Sequence, residues 1–135
     1  MKYYAVIDTN VLVSSQLKRG SIPWEIVNYV LGNTIVPLLN QEILNEYEEV
    51  LNRNEFGFSE EDIRILLDKI KEKGIFLLRE QTIEEFIDEK DIVFYEIVMS
   101  ARNTMDAYLI TGNIKHYPVR SYVVTPRQML EIMKM

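Results

Sequence analysis

Short β-branched runs alternate with helical patterns along the whole chain, with no internal repeat and no linker between them. Strands spaced in this way cannot pair through tight hairpins. Each needs a long crossover, and a helix supplies it. The pattern predicts a mostly parallel sheet covered by helices on both faces, a three-layer α/β/α sandwich. At 135 residues the chain can bury one real core, and a single domain over 1–135 is expected.

The first strand is Tyr3 to Ile7, and it ends abruptly in Asp8-Thr9-Asn10 before apolar residues resume at Val11. A buried carboxylate is costly without a partner, so something must compensate for Asp8. Ile22-Pro23-Trp24 opens a helix with Trp24, Val27 and Leu31 on one face and Gly32 as its stop. Thr34 to Pro37 reads as a second strand. Asn40 caps a helix whose apolar face carries Ile43, Leu44, Tyr47, Val50 and Leu51. Ser59 with Asp62 resembles a capping box for the next helix, which Gly74 ends. Ile75 to Leu78 is read as a strand, Gln81 to Lys90 as a loop or short helix, and Asp91 to Arg102 as a helix. Tyr108 to Ile110 and Tyr122 to Val124 are the last strands, and Thr125-Pro126 opens the terminal helix. Its apolar Met129, Leu130, Ile132 and Met133 suit either the core or a dimer interface.

There are no cysteines, which excludes a disulfide framework and thiolate metal sites. No stretch approaches the roughly 18 apolar residues of a spanning helix, and no apolar leader follows a basic start, so the expected location is the cytoplasm. The net charge of −6 argues against a passive nucleic-acid binder, which is usually basic. A nuclease whose acidic pocket holds cations escapes that argument.

In open α/β sheets, ligands gather beyond the carboxyl ends of the strands. Asp8 lies just past the first strand, and Thr111-Gly112-Asn113 just past the Tyr108 strand. If those strands are neighbours, their polar ends share one cleft. Asp91 begins a helix, and Glu42 and Glu46 share one helical stripe. Oxygen ligands without Cys or His suit Mg²⁺ or Mn²⁺. Other polar residues read as ordinary: Glu42 as a solvated acid or dipole partner, Glu96 as surface, about 200° from Phe94. Asp106 precedes its strand and so sits at the wrong end of the sheet. The single His116 reads as a turn residue rather than a catalytic base, and the basic pairs Lys115-His116 and Lys18-Arg19 could touch phosphate.

Four stretches in order, AVIDTNVLVSS, NQEILNEYEEVL, DEKDIVFYEIVMSA and DAYLITGNIKHYP, resemble the PIN-domain family over Val6 to Leu130. The closest resemblance is to the branch described as toxin components of toxin–antitoxin systems, related to the VapC ribonucleases. That resemblance implies an α/β/α sandwich with a parallel sheet and a metal-dependent ribonuclease using Mg²⁺ or Mn²⁺. It carries the first acid onto Asp8, its polar companion onto Asn10 or Thr9, the helix acid onto Glu46 and the third acid onto Asp91. The last motif, often T-G-D, reads Thr111-Gly112-Asn113 here, one formal charge fewer. The implied set is therefore Asp8, Glu46 and Asp91 on the metal with Asn113 assisting catalysis. Thr9, Asn10, Thr111 and Lys115 would contact substrate. RNA, an antitoxin protein and a homodimer are the implied partners.

Three other readings compete. A haloacid-dehalogenase-like phosphotransferase needs D-x-D, and Asn10 removes its general acid. A receiver-like domain places its phospho-acceptor after a central rather than the first strand. The alternative that Asn113 favours is a catalytically weakened PIN-like module that binds protein or RNA.

Overall fold

In the computed structural model, which describes residues 1–135, five strands run parallel: β1 (Tyr3–Ile7), β2 (Ile35–Leu39), β3 (Ile75–Phe76), β4 (Ala107–Ile110) and β5 (Val123–Val124). Their order across the sheet is β3-β2-β1-β4-β5. The chain winds outward from β1 to β3, then returns to the other side of β1 for β4 and β5. The reversal falls between β1 and β4, where crossovers leave in opposite directions and open a crevice beyond the strand ends. Register sharpens the point: Ile7 pairs with Ile110, so the next residues, Asp8 and Thr111, emerge side by side.

Six helices complete the three-layer α/β/α sandwich: α1 (Thr9–Leu17), α2 (Ile22–Leu31), α3 (Gln41–Leu51), α4 (Glu60–Lys73), α5 (Ile92–Arg102) and α6 (Pro126–Met133). Local chemistry sets several of their starts. The Asn40 side chain accepts from the Ile43 amide at 2.8 Å, and Ser59 accepts from the Asp62 amide at 3.1 Å. A reciprocal capping box forms only at α6, between Thr125 and Gln128, with Pro126 in the first turn. At Ser59 the bond runs one way.

One cluster of 33 buried apolar residues fills the space between the layers. Leu12, Ile26, Leu38, Ile97 and Leu109 are among its fully buried members, each contributing about 1.5–3 kcal/mol by burial. Met129 and Leu130 of α6 belong to this core, and Ile132 and Met133 pack partly against it. No helix is long and apolar enough to cross a membrane.

The structure departs from the sequence expectation in four places. Residues 9–17, left unassigned, form α1. The buried face of α2 is Ile26, Val27 and Val30, rotated from the expected Trp24, Val27 and Leu31, because α2 packs on β2 and three other helices at once. Strand β3 stops at Phe76, two residues short, where the chain leaves the sheet edge. Glu96 was expected on the surface and is buried, at 5% exposure. Its carboxylate accepts from Arg79 Nε at 2.6 Å and from the Thr82 amide at 2.8 Å. Arg79 also donates to Glu42 at 2.8 Å. The irregular segment after β3 is thereby fastened across α3 and α5, and it covers the helix face that would otherwise meet water.

Candidate functional site

Asp8 occupies the junction between β1 and α1 in an extended conformation, with its amide donating to the Ile110 carbonyl at 2.9 Å. The sheet therefore fixes its backbone, and the side chain points into the crevice beyond the strands. Three side chains donate to the same oxygen, Oδ2: Thr111 Oγ1 at 2.7 Å, Tyr117 Oη at 3.0 Å and Asn10 Nδ2 at 3.3 Å. No side-chain donor reaches Oδ1. Burial pushes the Asp8 carboxyl above its ordinary value, against those hydrogen bonds and the nearby Thr9 and Asn10 amides, which favour the charged form.

Glu46 lies on α3, six residues beyond the Asn40 cap. Its Oε2 accepts a short hydrogen bond from Thr9 Oγ1, at the first turn of α1. Burial raises the Glu46 carboxyl, and the charges of Asp8 and Asp91 raise it further, while Thr9 and Lys90 oppose them. Asp91 closes a single 3-10 turn (Glu89–Asp91) that leads into α5. Its Oδ2 lies 3.2 Å from His116 Nδ1. Burial raises this carboxyl first, then the Asp8 charge, with His116 acting the other way.

The three acids thus come from three separate elements and meet at the switch point. Each is gripped by protein side chains through one oxygen, and the other oxygen takes no side-chain donor. They do not close into a tight cage of three ligands, yet the Asp8 charge lies near enough to raise both Glu46 and Asp91. An open set of hard oxygen donors suits a divalent cation that keeps several of its waters better than one caged by protein alone.

The remaining residues fall in different places. Asn10 Oδ1 accepts from the Gly112 amide at 3.0 Å, tying the start of α1 to the turn after β4. A Cβ at position 112 would stand 3.1 Å from that oxygen, so glycine permits the approach. Thr111 is fully buried, and its hydroxyl also accepts from the Asn113 amide at 3.0 Å. The Asn113 side chain is exposed and bonds to none of the three acids. Lys115 is exposed as well. Glu42 is drawn to Arg79, on the surface, and Asp106 pairs with Arg102 at 3.3 Å before β4.

The sequence reading kept His116 as a turn residue able to touch phosphate beside Lys115, and it passed over Tyr117. His116 does sit in a 3-10 turn, Ile114–His116, but the turn swings its ring onto Asp91. Tyr117 follows it and is buried, its hydroxyl on Asp8; burial and the acids around it push that phenol well above its usual range. The only available signal was proximity in sequence to Thr111-Gly112-Asn113. Lys90 is a third site neighbour, exposed but close enough to favour ionised Glu46.

No curated protein matches the chain. A family profile described as the PIN domain matches residues 4–115, which takes in β1 to β4, all three acids and the turn after β4. The chain therefore belongs to the PIN-domain family, a fold of nuclease type.

Proposed function

We propose that this protein is a metal-dependent endoribonuclease that hydrolyses RNA phosphodiester bonds, acting as the toxin of a toxin–antitoxin pair. What supports the reading is the trio Asp8, Glu46 and Asp91: three half-engaged carboxylates with raised pKa values at the switch point of a nuclease-type fold. Those three residues would hold one Mg²⁺ or Mn²⁺. When bound, the ion supplies positive charge against the phosphate and makes a coordinated water more acidic.

The chain's own residues do the positioning. Thr111 and Tyr117 fix Asp8 through Oδ2 and so present Oδ1. Thr9 keeps Glu46 turned inward, and His116 restrains Asp91. Asn113 and Lys115 are exposed and would contact the substrate. Incubation of the protein with several single-stranded RNAs tests the reading. Cleavage is expected with Mn²⁺ and none in excess EDTA. Cleavage undiminished by EDTA refutes it. Metal-independent RNA binding without cleavage favours the second reading, a catalytically weakened module, which the neutral Asn113 supports.

Two substitutions probe the ligand set. Glu46→Gln is expected to reduce cleavage at least about 10–100-fold, whereas Glu42→Gln retains most of it, since Glu42 engages only Arg79 at the surface. The reverse ranking in initial rates would reassign the helix ligand. Asn113→Asp adds a carboxylate at the mouth and is expected to tighten Mn²⁺ binding severalfold. Equal or weaker affinity by calorimetric titration removes Asn113 from the site.

A further inference from the structure

Away from the three acids, a groove of about 270 Å³ opens between the α1–α2 corner and α4. Trp24, the chain's one tryptophan, forms a half-buried wall of it. The Arg19 guanidinium lies over the indole, 5.9 Å from its centroid. Gln16 and Asn28 present exposed amides along the same groove, Lys69 stands on the α4 side, and Asp62 is the one acid lining it. A second hollow of about 330 Å³ continues past Arg19 and shares Gln16, Trp24 and Asn28. Neither Arg19 nor Lys69 is engaged in an ion pair.

A planar ring suits the space. An aromatic wall, two amides and two unpaired cations are the groups that recognise an unstacked base: stacking on the ring, hydrogen bonds to the base edge, and charge on the flanking phosphates. A duplex keeps its bases stacked and cannot offer one. Helix α1 starts beside Asp8 and runs nine residues to Leu17, so the groove lies roughly 14 Å along it from the acids.

We infer that the Trp24 groove binds a base of single-stranded RNA a few nucleotides from the phosphate to be cut, with Arg19 and Lys69 on the neighbouring phosphates. The identity of the ligand rests on the nuclease reading. The test does not, because Trp24 emission reports the groove directly. The probes are a short single-stranded RNA of mixed sequence, the matching duplex and polyphosphate, titrated in EDTA against the Asp8→Asn protein so that no RNA is consumed. The single strand is expected to quench Trp24 saturably, and the duplex and polyphosphate are not. Arg19→Ala and Lys69→Ala should each weaken binding about tenfold and lower the salt slope by about 0.7. Absence of quenching, or equal quenching by polyphosphate, overturns the proposal. If quenching is absent while the wild type still cuts RNA with Mn²⁺, the groove falls and the nuclease reading stands. Quenching in a chain that cuts nothing keeps the groove and removes the nuclease.

Discussion

Asp8→Asn is expected to lower RNA cleavage by roughly 10²–10³-fold or more, the scale of losing a main electrostatic stabiliser, while the metal-free variant is at least as stable as wild type. The two effects have one cause. Folding buries Asp8 and brings it toward Glu46 and Asp91; burial pushes all three carboxyls up, and the Asp8 charge raises the other two further. Two unit charges about 6 Å apart at an effective dielectric of about 20 repel by about 2–3 kcal/mol before screening. Asparagine removes that repulsion and keeps an oxygen for Thr111 and Tyr117. An ordinary turn aspartate would behave in the opposite way, losing about 1 kcal/mol with its hydrogen bonds. Urea melts in EDTA distinguish the signs. The pH dependence follows from the raised folded-state pKa. The Asp8 contribution to stability is fully favourable below the ordinary carboxylate value and is lost as pH rises through the folded value. The advantage of Asp8→Asn is therefore widest near neutrality and closes on acidification. Mn²⁺ at about 100 times its Kd should then stabilise wild type by about 2.7 kcal/mol, and the variant far less.

Glu96→Ala is expected to destabilise the fold by about 2–3 kcal/mol, the cost of deleting a charged acceptor with two partners. Its carboxylate is almost fully enclosed, but Arg79 is 34% exposed and can turn to water once freed. That exposure keeps the loss below the 3–5 kcal/mol of a fully buried pair. The segment it fastens runs on to Asp88 and Asp91, so the loss should reach the site: Mn²⁺ affinity weakens even though Glu96 touches no ligand. Denaturant midpoints and a metal titration on the same variant check both parts. A change within 0.5 kcal/mol would show that the Arg79 bridge does not hold this segment.

These two residues also show what the sequence could and could not reveal. Asp8 was legible because a strand that stops in Asp-Thr-Asn announces a buried acid, and strand order then brings Thr111 beside it. Glu96 was misread because a helix was assumed to have a wet side. In α5 every residue from Val93 to Val98 is buried, since the sheet lies on one face and the Arg79 segment on the other. Helix α1 was missed for a related reason: Val11, Leu12, Val13 and Ser15 are all buried, which erases the apolar–polar period that marks a surface helix. His116 and Tyr117 depend on a tight turn folding back over the site. That geometry leaves no periodic trace.

Calorimetric titration with Mn²⁺ of wild type, Asp8→Asn, Glu46→Gln, Asp91→Asn and Glu42→Gln tests the central claim most directly. The expected result is one site in the wild type, weakened at least about tenfold by each of the first three substitutions and unchanged by the fourth. Unchanged Mn²⁺ affinity in all three acid variants would contradict a shared cation at Asp8, Glu46 and Asp91.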